Sequence, residues 1–481
     1  MRGILAWVGR NRFFVLLALT YAYFYQGADP NEASRFFLTR ALVTRHAPDI
    51  TPDGIYTIDK GELDGKYFSD KAPGISFLAV IPYALMRATN IQETRSVEHV
   101  ELHILTILLA GIPAAFAAFL LKRALDALGA QKKDRDLLVV AYALGTLAFP
   151  YATLLYGHAL AAMLVLLVYT WVVEHHAKGA AWTDRDLAAA GLVSGLSFIV
   201  EYPTALALFP LLLFACAQTS RRTRGIIRAG LWVTAGALPW LLLHAAFAWW
   251  AFDAPFALPY KFVNLPIFSA HMTGGVFGIS LPTAKATYGA LLSPYRGLFF
   301  FSPVLALVFA GVAAWIASRE ARAIAWLTSI VLLSELWFAT SYYAWDGGGA
   351  LGPRHLVPAV ALFMVPISFF LRKGAGPRFL AFLAVGASAI FVGIGVAVYA
   401  QPPIGDPFRA DPLYSILVPH LALLEISQNW LDLRAVIPMR DDAYNMGTLA
   451  GLGVTASLLV PIAAWLGYFA SLRKHDESGA T

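Results

Sequence analysis

The chain has 481 residues, of which 58% are hydrophobic and only 14% charged, with a formal net charge of +6. A soluble domain carries about 25% charged residues, so the composition excludes a soluble globular protein and indicates a polytopic membrane protein. The basic balance does not indicate nucleic acid, because the Lys and Arg residues fall in short turns where membrane orientation and anionic lipid account for them.

A transmembrane helix needs about 20 mostly apolar residues. Twelve such runs are expected near 13–28, 103–121, 137–156, 159–173, 187–200, 203–218, 231–250, 297–317, 323–340, 356–371, 379–400 and 446–471. Arg2, Arg10 and Arg12 precede a short apolar run, as in a signal peptide, but Tyr25-Gln26-Gly27-Ala28 makes a poor cleavage site. An uncleaved anchor is expected. The run 187–218 divides at Glu201-Tyr202-Pro203, since proline disfavours helix continuation. Reading it as one span would move Arg221, Arg222, Arg224 and Arg228 to the outer side. With two spans, the cytoplasmic segments hold 21 Lys/Arg against 9 Asp/Glu. The outer segments 29–102, 251–296, 341–355 and 401–445 hold 15 against 19. Positive residues belong inside, so both termini are expected in the cytoplasm. No long hydrophilic block interrupts the pattern, and residues 1–481 read as a single integral-membrane domain. Cys216 is the one cysteine, so no internal disulfide forms.

Segment 29–102 carries eleven acidic residues. It opens with Asp29-Pro30-Asn31-Glu32 at the end of the first apolar run. One reading makes Asp29 the N-cap and Pro30 the first residue of a new helix. The other gives the carboxylates, spaced i to i+3, to one cavity, where they accept a proton from a hydroxyl nucleophile or hold a divalent cation. Asp59 to Tyr67 reads as a charged surface turn. Asp70 and Lys71 lead into Ala72-Pro73-Gly74 and a piece, Ile75 to Tyr83, too short to span and expected along the outer membrane surface. Lys71 there either binds a phosphate or pairs with Asp70.

Further along, His99 and His103 stand at i and i+4, a zinc-compatible spacing that lacks the protease pattern; no metal site is assigned. His158 opens a span beside Tyr156 and Gly157 and is placed at the same outer end. Glu201 and Glu335 lie near outer helix ends, within reach of interfacial water. Tyr260-Lys261 and Arg296 add cations at that level. In the turn from Tyr342 to His355, three consecutive glycines free the backbone to approach a ligand. Tyr343 and Trp345 suit a sugar ring or the interfacial aromatic belt, and Arg354 with His355 suit an anionic group. No Walker loop, dinucleotide fingerprint or nucleophile elbow occurs, so the driving energy comes from the substrate itself or an ion gradient.

An acidic pair just after the first span, a long first outer loop with Lys71-Ala72-Pro73-Gly74, and a late glycine-rich turn ending Gly352-Pro353-Arg354 together resemble the GT-C superfamily of integral-membrane glycosyltransferases. The nearest likeness is to glycosyltransferase family 39-like proteins, related to protein O-mannosyltransferases and the lipid A aminoarabinose transferase. The resemblance reaches to about Phe370. It implies an all-α polytopic bundle of about 12 transmembrane helices with short juxtamembrane helices in large non-cytoplasmic loops. It also implies a lipid-linked (polyprenyl-phosphate) sugar donor, a glycan, lipid or protein acceptor, and a bacterial inner membrane. Asp29 becomes the general base with Glu32 assisting, and Lys71 and Arg354 hold the donor phosphate. In this chain Pro30 and Asn31 separate two acids that many members place side by side. The alternatives are a transporter or flippase of a lipid-linked glycan, an oligosaccharide ligase or polymerase, or a non-catalytic assembly subunit.

Overall fold

The computed structural model describes residues 11–89, 95–220, 222–263, 265–272, 278–402, 411–425 and 444–478. Eight of its helices are long and apolar enough to cross a membrane: Glu98–Ala127, Gly157–Lys178, Tyr202–Thr219, Thr223–Phe252, Arg322–Ser341, Arg354–Leu371, Ala375–Val398 and Val454–Leu472. Each overlaps one expected span, although 446–453 is a separate short helix, Met446–Leu449, and a turn. The other four expected spans correspond to shorter or interrupted helices. The first is Arg12–Tyr23, which gives way to a strand at Phe24. The run 137–156 becomes Lys132–Gly145 and a separate turn, Ala148–Ala152. Asp184–Val200 is a 17-residue helix, and 297–317 is broken into pieces at Pro303.

The outer surface of the bundle is apolar. Leu231, Leu242, Trp249, Ile462 and Leu466 are all exposed, and Thr223–Phe252 and Val454–Leu472 bury little of their length, whereas Gly157–Lys178 runs through the centre. Patches of this extent are not tolerated in water, and together with the eight long apolar helices they define a multi-pass membrane protein.

The expected break at Glu201 is present. Asp184–Val200 starts at a Thr183–Asp186 capping box and stops at Glu201, followed by a single 3₁₀ turn, Tyr202–Thr204, containing Pro203. That helix crosses Thr223–Phe252 closely. A Cβ at Gly191 would lie 1.9 Å from the Val233 carbonyl oxygen, and one at Gly236 would lie 1.9 Å from that of Ala188. Small residues at such crossings let backbones approach where no hydrophobic force joins helices in lipid.

The turns expected in the cytoplasm touch one another at one end of the bundle. Arg372 reaches the Leu128 carbonyl and Glu320, Arg378 reaches Asp134 and Gln131, and Arg123 pairs with Glu174. Asp29, Lys71 and Arg354 belong to the opposite ends of their segments.

The chain is not purely α-helical. Lys60–Leu63 and Lys66–Ser69 form a hairpin whose Asp64-Gly65 turn has positive φ at both residues, the geometry favoured in two-residue hairpin loops. Phe24–Tyr25 pairs antiparallel with Tyr444–Asn445. The Gly74–Arg87 helix has 14 residues, too short to cross, with Ile81 and Leu85 exposed and Ile75 and Tyr83 buried. Most of segment 401–445 lies outside the described residues.

Candidate active site

Asp29 is the N-cap of Pro30–Arg40. Its Oδ1 accepts from the backbone N–H of Asn31 (2.8 Å) and Glu32 (3.1 Å), while Glu32 Oε2 accepts from the Asp29 N–H at 3.1 Å. The helix-capping reading and the cavity reading thus concern different oxygens of one residue. Asp29 Oδ2 is not used by the cap and accepts instead from the Tyr156 hydroxyl.

Glu32 is more fully committed. Its Oε1 accepts from the Leu155 N–H at 2.7 Å, and its Oε2 also accepts from Gln401 Nε2 at 3.1 Å. Both carboxylates are buried, and burial raises both pKa values. Glu32 is pushed up to about 8, with the charge of Asp29 adding to burial. For Asp29, burial and then Asp59 raise it, and the bond from Tyr156 opposes.

Lys71 pairs with two acids, Asp59 (2.8 Å) and Asp70 (3.1 Å). The Asp70 pairing expected as one alternative is present, and Asp59, read as part of a surface turn, is its second partner. Burial pushes Asp70 up to about 6 against the pull of Lys71. Burial alone would lower Lys71, but Asp59 and Asp70 outweigh it and hold the ammonium well above its ordinary value.

Arg354 arrives from the other half of the chain. It lies 5.5 Å over the Tyr156 ring, near enough to Lys71 for the two charges to oppose each other. Gly347, at φ +71°, passes so close that a Cβ there would sit 2.9 Å from Arg354 Cγ. Among the described residues Arg354 has no ion-pair partner, and its Nε is buried without a hydrogen bond. Asp59 and Asp29 are near enough to favour its charge, and the unbonded Nε leaves a donor for a further anion.

A second polar group adjoins this one. Arg35 donates to Glu201 (2.8 Å), Asn31 Oδ1 (3.0 Å) and the Ala72 carbonyl (3.2 Å), so it ties the acidic helix to the Lys71 turn. His158 Nδ1 lies 3.6 Å from Glu201, and its ring is 5.7 Å from Tyr156 and 6.2 Å from His355. His355 is turned to its own loop, bonding the Ala344 carbonyl at 3.1 Å. Tyr343 stacks on His271 and stands near enough to Lys71, Asp70 and Asp59 to sense their charges. Trp345 is not brought to the carboxylates by any contact among the described residues. Its ring occupies the space over Gly289, where a Cβ would clash at 2.1 Å.

Several expectations need correction. Glu201 and Glu335 do not reach interfacial water, because both are buried. Glu201 is neutralised by Arg35. Arg296 is no interfacial cation: it is fully buried and donates to the carbonyls of Gly348, Pro402 and Tyr295, stapling the glycine-rich turn. His99 and His103 bond the hydroxyls of Tyr25 and Tyr444. Among the described residues no three His, Cys, Asp or Glu side chains are grouped to hold a metal.

Tyr156, Gln401, Asp59 and Arg35 were not singled out as site residues. Their sequence neighbourhoods look like ordinary helix ends and turns, and only Tyr156, next to His158, stood beside a candidate.

No protein-family model matches the chain, and no curated protein matches it in sequence. Solved structures do match the chain, and two are the following. One is ArnT from Cupriavidus metallidurans bound to undecaprenyl phosphate, at 13% identity and a TM-score of 0.50, covering 98% of this chain and 78% of that one. The other is the Archaeoglobus fulgidus oligosaccharyltransferase in the apo form, at 11% identity and a TM-score of 0.46, covering 81% of this chain and 56% of that one. At such identity the likeness to the ArnT structure concerns the fold alone.

Proposed function

We propose that this protein is a membrane glycosyltransferase that moves a sugar from a polyprenyl-phosphate donor to a hydroxyl acceptor. The observation that carries the reading is the meeting of an acidic pair, Asp29 and Glu32, with Arg354, which has no ion-pair partner among the described residues, and with Lys71 near it at one end of the bundle. Displacing a lipid phosphate from a sugar needs a base on the acceptor side and cations on the leaving phosphate. The GT-C-like fold, and the undecaprenyl phosphate bound to the similar ArnT structure, support the same donor class. Asp29 is the base in this scheme. Among the described residues its Oδ2 meets a hydroxyl alone, whereas both Glu32 oxygens are held by N–H donors, so Glu32 shapes the site and does not take the proton. Asp70 fixes Lys71, and Tyr343, His158 and His355 line the surroundings. Comparing envelope glycolipids and glycans by mass spectrometry, with and without the gene, tests this directly. A glycan losing one sugar in the deletion is the expected result; a lipid-linked precursor held on the cytoplasmic side of the membrane would replace transfer with transport.

In this reading the whole chain is one domain with twelve crossings, both termini are cytoplasmic, and the site faces away from the cytoplasm at a bacterial inner membrane. Lys66, Arg224 and Ser415 are all exposed in the structure. In a Cys216→Ala background, single cysteines at 66 and 415 should react with an impermeant thiol reagent in intact cells, and one at 224 should not. The opposite pattern would invert the topology and remove the enzyme reading with it.

A further inference from the structure

Asp29 and Glu32 are joined by a third and fourth residue from distant parts of the chain. Gln401 Nε2 has two hydrogens. One goes to Glu32 Oε2 at 3.1 Å and the other to the Tyr156 hydroxyl oxygen at 3.3 Å. With a lone pair of that oxygen taken by Gln401, the Tyr156 O–H is directed to Asp29 Oδ2. Gln401 is itself held in place. The Ala400 N–H donates to Gln26 Oε1, the Ala400 carbonyl accepts from the Leu351 N–H, and the Pro402 carbonyl accepts from Arg296. The Tyr156 ring is equally confined, with Arg354 over it and the rings of Tyr151 and His158 beside it.

We propose that Tyr156, oriented by Gln401, is a positioning residue that keeps the Asp29 carboxylate ionised and fixed beside Arg354. The proposal rests on Asp29 being the base. A base must be unprotonated to act, and the surroundings of Asp29 work against that. Its carboxylate is buried, and Asp59 faces it from the loop before the hairpin. Against these stand the cap N–H groups, Arg354 and the Tyr156 hydroxyl. A hydrogen bond to the charged form favours that form. Tyr156 is buried to within 1%, so it acts on the acceptor through Asp29 and not by touching it.

Removing the hydroxyl in Tyr156→Phe leaves the ring packing in place and withdraws the bond. The pKa of Asp29 then rises further, so the base is ionised only at higher pH. The acid limb of kcat/KM should move upward by roughly one pH unit, with a smaller shift in the same direction for Gln401→Ala. A second readout does not depend on turnover. In detergent, the melting temperature of the full chain should fall in Tyr156→Phe, and the gap from wild type should be widest above the Asp29 pKa. It should close as pH falls through that value, because a neutral carboxyl gains less from the bond. In an Asp29→Asn background the pH dependence of the gap should vanish. A gap that is constant with pH and survives in Asp29→Asn would mean that Tyr156 only packs, and would overturn the proposal. Should the wild-type protein transfer no sugar, the glycosyl-transfer reading fails, while the unfolding series still decides the role of Tyr156.

Discussion

Asp29→Asn is expected to lower turnover by about 10²- to 10⁴-fold, the usual worth of a general base, while leaving the fold intact. Asparagine is as good an N-cap as aspartate, and its carbonyl oxygen can accept from the Asn31 and Glu32 N–H groups as Asp29 Oδ1 does. Its amide then faces the Tyr156 hydroxyl, which can accept from it but loses the oxygen that its own proton was given to. Glu32→Gln behaves differently. Leu155 N–H holds one oxygen, and Asp29 N–H with Gln401 Nε2 hold the other. Whichever way the new amide turns, a donor faces a donor in a buried place, at a cost of about 1–3 kcal/mol. The measurements are single-turnover transfer and thermal unfolding on the same preparations. Asp29→Asn should lose rate with at most a small fall in melting temperature, from the one bond to Tyr156; Glu32→Gln should lose more melting temperature, since three N–H donors hold its oxygens. Full activity in Asp29→Asn would end its assignment as base. The pH profile has a fixed sign. Burial raises the Asp29 pKa, so activity is present above that raised value and is lost as pH falls through it.

Lys71→Met and Arg354→Met should each weaken use of a polyprenyl-phosphate sugar by roughly ten- to a hundredfold, since a charge-assisted hydrogen bond is worth about 1.5–3 kcal/mol. The two are not equivalent. Lys71 already has Asp59 and Asp70 as partners, so removing it also releases two acids beside the phosphate position. Arg354 has no such ion-pair partner among the described residues, but it also favours the ionised form of Asp29, so its loss should in addition move the acid limb of the pH profile upward. Arg354→Lys should recover only part of the effect, because lysine lacks the planar fork. A double-mutant cycle on purified protein decides whether the pair shares one phosphate. Strong coupling is expected, and strictly additive, small effects would mean that the two cations serve different purposes.

The sequence by itself determined the class of fold. Long apolar runs with few charges admit only membrane helices, and eight of them stand where hydropathy placed them. The break at Glu201-Tyr202-Pro203 was legible because proline acts locally on the backbone. Asp29 as a helix boundary was legible for the same reason. Helices shorter than a span were not, since the arrest of Arg12–Tyr23 depends on a strand partner, Tyr444–Asn445, more than 400 residues away.

Only the tertiary structure decided what each polar residue meets. Glu201 had the appearance of a carboxylate at a helix end, and its burial against Arg35 depends on two segments that local periodicity cannot relate. Asp59 read as solvent-facing because a charged turn usually is, yet the hairpin folds it onto Lys71. Tyr156 and Gln401 carry no motif. Their roles arise because three segments converge, and in a buried, low-dielectric place each unsatisfied donor or acceptor must find a partner. Local rules act over a few residues and so can be read along the chain, whereas hydrogen-bond satisfaction acts across space and becomes visible only once the helices are packed.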